Sequence, residues 1–136
     1  MMHWRFLPNS LVIGLILIGL NSCDPGQTLE IENKMSTESN ITFYFKGTEY
    51  YDFRDFLQEE PLSISLEPEE KKIYDFGIGT WEYDHSIDSL SSRVNKVKIE
   101  TKKSTEIFEG ESQILSFFTD RIVDDRYRAR ILIEIE

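Results

Sequence analysis

Of the two histidines, His3 and His85, only His85 stands among oxygen-bearing side chains, with Asp84 before it and Ser86 and Asp88 after it. Asp84-x-Ser86-x-Asp88 has the spacing of the first three ligands of a calcium loop, where hard oxygen donors alternate with spacers. The loop does not continue, because Ser89 occupies the position of the sharp-turn glycine and Asn95 that of the closing bidentate glutamate. Zinc fares worse, because one histidine with no second histidine or cysteine near it leaves only carboxylates to complete a site. A serine nucleophile lacks the Gly-x-Ser-x-Gly turn that would aim it. The pairs Glu59-Glu60, Glu69-Glu70 and Asp124-Asp125 are the residue type of glycosidase acid/base chemistry. Among 25 acids in 136 residues such neighbours arise by chance, and each lies beside turn-formers or bases, where charge faces water. The expectation is a solvated loop around His85, no catalytic residue, no metal and no cofactor; a small hydrolase ranks third among the function classes.

Aromatic residues form a second constellation. Tyr50, Tyr51, Phe53 and Phe56 precede Pro61, while Trp81 and Tyr83 lie between Gly79 and Asp84. Tyrosine and tryptophan bury large area at low entropic cost and are enriched where proteins meet partners. Interleaved with Glu49, Asp52, Asp55, Glu82 and Asp84, they predict an acidic aromatic rim suited to a basic protein surface or a neutral glycan, with Tyr50, Tyr51, Trp81 and Tyr83 as the binding surface. The competing reading, in which these rings seal a core beneath their loops, stays open. Overall, 15 basic against 25 acidic residues give a net charge of −10. With no basic stripe, that balance repels phosphate backbones and disfavours nucleic acid as a partner.

The elements that must position these residues are written in period two. Leu29/Ile31/Asn33, Ile41/Phe43/Phe45, Leu62/Ile64/Leu66, Val97/Ile99/Thr101 and Tyr127/Ala129/Ile131/Ile133/Ile135 alternate with mostly polar neighbours, as half-buried strands do. Lys71 to Phe76 and Thr105 to Phe108 are shorter candidates. Turn-formers separate them: residues 36–40, Gly47, residues 67–70, Gly77 and Gly79, residues 102–104 and residues 109–111. About seven strands at this spacing predict one all-β domain, an antiparallel sandwich in which each sheet has one wet face. Asp52 to Leu57 carries Phe53, Phe56 and Leu57 at helical spacing behind a possible Asp52 N-cap. Ser112 to Ile122 reads either way: Ile114, Leu115, Phe118 and Ile122 suit one helix face, with Phe117 pointing elsewhere, and a strand is the alternative.

Residues 1–10 carry Arg5 and no acid, and residues 11–20 (LVIGLILIGL) are uninterrupted apolar or glycine. Ten residues are too few to span a bilayer, which needs about 20, but match the apolar region of a secretory signal. Leu20-Asn21-Ser22-Cys23 follows and resembles the lipobox of bacterial lipoproteins, departing from the usual pattern only at Asn21. The resemblance implies cleavage before Cys23, a diacylglycerol on its thiol and a further acyl chain on its new amine, giving a signal peptide over residues 1–22, a tether over 23–27 and a folded domain over 28–136. Cys23 is thus the expected lipidation site and the membrane its first partner. The processed chain carries a net charge of −11, and the whole excess lies in residues 24–91, which hold 16 acids and 5 bases, against 9 of each in residues 92–136. Asp24 resembles the inner-membrane retention signal of enterobacteria-like lipoproteins; other lineages do not read it so, and the outer membrane or cell surface is the expected address.

The order of features also resembles small lipoproteins of the Bacteroidota: a Leu-Glu-Ile-Glu-Asn strand soon after the cysteine, Ile64 to Lys72 with its Pro-Glu-Glu turn, Asp88-Ser89 ahead of a lysine-rich strand, and a closing Tyr-Arg-Ala-Arg strand. The resemblance implies an immunoglobulin-like sandwich and lends no activity. The function expected is a non-enzymatic interaction or structural module, with an inhibitor or immunity-type protein against a basic hydrolase as the alternative.

Overall fold

The structure, a computed structural model, describes residues 25–47, 61–81, 86–125 and 128–136. Its elements run β1 (Gly26–Asn33), β2 (Ser39–Phe45), β3 (Leu62–Leu66), β4 (Lys71–Ile78), α1 (Ser86–Arg93), β5 (Val94–Glu100), β6 (Thr105–Glu109), α2 (Glu111–Thr119), β7 (Ile122–Asp125) and β8 (Arg128–Ile135). They make an all-β sandwich of two four-stranded sheets, ordered β4-β1-β8-β7 and β3-β2-β5-β6. The expected helical turn over Asp52 to Leu57 lies outside the described residues.

Alternation produces the core directly. Leu29 and Ile31 stand opposite Ile131 and Ile133 in the first sheet. In the second, Ile41 stands between Ile64 and Ile99, and Phe43 between Leu62 and Val97. All ten are buried in one cluster, each contributing about 1.5–3 kcal/mol by leaving water. The outer face of the second sheet is mostly polar, with Lys96 Nζ 4.2 Å from the Tyr44 ring centroid and Lys98 paired to Glu100 at 2.7 Å, and with Ile107 exposed opposite Lys98.

One pairing departs from the antiparallel expectation: β1 and β8 run parallel along their whole length. A parallel pair needs a long crossover, and here everything between the first and last described strands supplies it. A second departure is β7, unexpected from Ile-Val-Asp-Asp, which has no alternation to read. It pairs antiparallel with β8 from Ile122↔Ile131 to Asp125↔Arg128. Gly26, expected in the tether, already belongs to β1, and Gln27 is buried opposite Ala129.

Both helices lie at the end of the sandwich where β1 begins, because α1 follows the end of β4 and precedes β5, and α2 follows β6. They pack on each other, and α2 also packs on β5 and β6. The segment that read two ways is helix to Thr119, with Ile114, Phe117 and Phe118 as its buried face. The correction is one of phase: Phe117 points inward against Phe108, with centroids 4.6 Å apart, Leu115 is exposed, and Ile122 belongs to β7. Arg121 closes the helix, its guanidinium donating to Phe117 O at 2.8 Å and lying 4.2 Å from that ring's centroid. A cation there meets the negative end of the helix dipole, while burial pushes its pKa below the ordinary arginine value.

Candidate functional site

Trp81 is the one predicted binding-surface residue that the described residues include, and it is buried, not presented. Its Nε1–H donates to Ala129 O at 3.1 Å, and its ring meets Phe76 edge-on with centroids 5.1 Å apart. Its own carbonyl accepts from Ile87 N at 3.2 Å, which ties the start of α1 to the core. The exposed rim expected there therefore loses its tryptophan: a ring this large in the Gly77–Asp84 connection gains more by filling the open end of the sandwich than by facing water. Tyr50, Tyr51 and Tyr83 lie outside the described residues, as does Cys23.

The segment around His85 is corrected in the same way. Asp84 and His85 lie outside the described residues, but Ser86 and Asp88 are helical rather than part of a solvated loop. Ile87 and Leu90 are buried on one face, and Ser86 Oγ accepts a hydrogen bond from Gln27 Nε2 at 3.2 Å. Asp88 sits in the first turn of α1, where a carboxylate complements the helix dipole. Of the acid pairs, Glu69-Glu70 is structural. Glu69 takes the left-handed backbone of a tight turn, φ 62°, and Glu70 Oε2 accepts from Glu67 N at 2.9 Å while Oε1 pairs with Lys72 at 2.9 Å. The Glu67 amide and the Lys72 ammonium together hold Glu70 below the usual carboxylate range. Glu59-Glu60 lies outside the described residues, and Asp124-Asp125 falls in β7. Among the described residues, no three His, Cys, Asp or Glu side chains gather as metal ligands.

What the structure does gather is polar and lies at the opposite end, where β1 finishes. Asn33 is fully buried there and acts as a hub. Its Nδ2 donates to Thr37 O at 2.9 Å, Leu66 O at 3.0 Å and Glu67 O at 3.1 Å, and its Oδ1 accepts from Met35 N at 2.9 Å. One amide thus fixes two turns, because its donors and acceptor complement backbone groups that no ladder satisfies. Lys34 pairs with Glu32 at 2.7 Å, a hydrogen bond that lowers the Glu32 pKa and raises that of Lys34.

Beside this hub an open concavity of about 520 Å³ is lined by Thr37, Glu38, Asn40, Glu100, Thr101 and Lys102. Ser65 Oγ donates to Glu38 Oε1 at 2.5 Å, and Thr101 Oγ1 accepts from the backbone amides of Lys103 and Ser104 at 3.2 and 3.0 Å. No family model, curated protein or solved structure matches this chain. Two carboxylates, an amide, two hydroxyls and a lysine make a surface that offers hydrogen bonds and mixed charge. In the sequence Thr37, Glu38, Asn40 and Lys102 read only as turn-formers, and Glu100 and Thr101 as the end of a strand. The available signal was Asn33, a polar side chain in an inward-facing position that had to be satisfied by something.

Proposed function

We propose that this chain is a lipid-anchored protein of the bacterial cell envelope, held by acyl groups on Cys23 and acting as a non-enzymatic interaction or structural module. The observation that carries the reading is the motif Leu20-Asn21-Ser22-Cys23 placed just ahead of β1, which begins at Gly26. An anchor needs a folded body to hold, and here the body starts three residues beyond it. Among the described residues no helix is long and apolar enough to cross a membrane; in this reading the acyl chains on Cys23 supply the attachment. Two or more acyl chains, at about 0.8 kcal/mol per buried CH₂, hold firmly where one holds marginally. The polar end around Asn33 lies farthest along β1 from the anchor, in position to meet a protein or glycan.

A second reading, an inhibitor or immunity-type protein against a basic hydrolase, is favoured by the net charge of −11 beyond residue 22. Complementary charge speeds encounter and selects partners. Binding to a basic hydrolase that weakens as salt rises supports it, since exposed charges are screened within about 10 Å at 0.1 M.

The anchor is tested by expressing the full chain in a bacterial host with labelled palmitate. The wild type is expected in the detergent phase carrying label, and Cys23→Ser is expected unlabelled. Wild-type protein recovered unlabelled from the aqueous phase refutes the reading.

A further inference from the structure

The end of the first sheet nearest Cys23 carries an exposed row. Gly26 stands opposite Ile78 on one side and Arg128 on the other, so the three are spaced about 4.8 Å apart from strand to strand. Gln27 is buried, and alternation therefore turns all three to the outer face of the sheet. Ile78 is 76% exposed, the most exposed of the large apolar side chains described. Gly26 leaves a notch between its neighbours, since a Cβ there would meet only Gly77 O, at 4.0 Å. In the register, Asp125 of β7 is the partner of Arg128 at the far side of the row, and Ile78 makes β4 its apolar side.

The tether leaves this row little freedom. Gly79 N donates to Pro25 O at 2.9 Å, so the chain is fixed to the sheet as far as Pro25. From Cys23 to Gly26 it reaches at most about 11 Å when fully extended. The headgroup layer on each side of a bilayer is about 5–8 Å deep. With the acyl chains of Cys23 in the hydrocarbon, this short reach holds the Gly26 row close to the headgroup layer.

We propose that this row docks on the phospholipid surface, with Ile78 entering the boundary between headgroups and acyl chains and Arg128 at the level of the lipid phosphates. An exposed isoleucine is unfavourable in water and favourable there, and an arginine beside it keeps its charge at the polar level while its stem covers apolar surface. The β4 side sinks deepest because it carries the exposed Ile78. The sandwich then stands with its helices toward the membrane and its Asn33 end away from it. This inference rests on the acylation of Cys23.

The test uses the full chain, expressed in a bacterial host and reconstituted into vesicles of phosphatidylcholine and phosphatidylglycerol. Ile78→Cys and, at the opposite end, Lys102→Cys are each labelled with an environment-sensitive fluorophore, Cys23 being blocked by its lipid. Acylation of Cys23 is verified by mass on the same samples. The emission at position 78 is expected to be blue-shifted and to fall about twofold when the vesicles contain lipids with a quencher near the headgroup, because interfacial residues sit about 5–10 Å into that boundary; position 102 is expected to be unaffected. Acylated protein in which both positions respond alike overturns the docking and leaves the anchor standing. Protein whose Cys23 carries no lipid overturns the anchor, and the docking with it.

Discussion

Trp81→Ala separates a core tryptophan from a surface one by magnitude. The indole is fully buried, in edge contact with Phe76, and its N–H serves Ala129 O. Truncating a buried Phe or Trp to Ala costs about 3–5 kcal/mol, and part of that loss here is the hydrogen bond, worth about 1 kcal/mol net. At about 4 °C per kcal/mol for a domain of this size, the midpoint of thermal unfolding falls by about 12–20 °C. Trp81→Phe keeps most of the apolar volume and loses the N–H, and is expected to cost about 1–2 kcal/mol. Both are measured by urea unfolding followed by far-UV circular dichroism, since the mutation removes the fluorophore. In a Trp4→Phe background the native emission is expected to be blue-shifted and resistant to iodide. An exposed tryptophan gives the reverse: substitutions within about 0.5 kcal/mol of wild type together with red-shifted, quenchable emission refute the placement of Trp81 in the core.

Asn33→Ala removes the donors for Thr37 O, Leu66 O and Glu67 O and the acceptor for Met35 N. It is expected to cost about 2–3 kcal/mol, because buried groups lose their partners, and to speed amide hydrogen exchange in residues 34–38 and 67–70 before the rest of the sandwich; uniform acceleration refutes the hub. The depressed Glu70 gives a pH test. A carboxyl held below its ordinary value of 4.5 adds stability that is present above that value and lost as pH falls through its folded pKa. The wild type is therefore expected to melt above Glu70→Gln at neutral pH and to converge with it in acid, and a gap that persists in acid refutes the pairing.

Much of the fold was legible because a half-buried strand must alternate. The runs at Leu29, Ile41, Leu62, Val97 and Ala129 all became strands with the expected faces inward. Alternation was insufficient at Glu30, which it turns to solvent but which the sheet buries beneath an ion pair with Lys71 at 2.5 Å, with Arg130 at 3.8 Å. It was silent for Ser86–Arg93, where Ile87, Leu90, Ser91 and Val94 carry a helical spacing that the acids around His85 obscured. In Ser112 to Ile122 both periods fit, and the decision rested on whether Phe117 or Leu115 had a neighbour to pack against. Phe108, one strand away, favoured Phe117.

The amino-acid sequence by itself determined the all-β class, the two-faced strands and the acidic balance, because these depend on side-chain type and near-neighbour period. It also carries the whole case for Cys23, since a processing motif is read along the chain. Only the tertiary structure decided that β1 and β8 lie side by side and parallel, that Trp81 seals the core, and that Asn33 joins two distant turns. Each of those depends on which segments meet across the sandwich, and a hydrogen bond from residue 81 to residue 129 or from residue 33 to residue 66 leaves no mark in the residues near either partner.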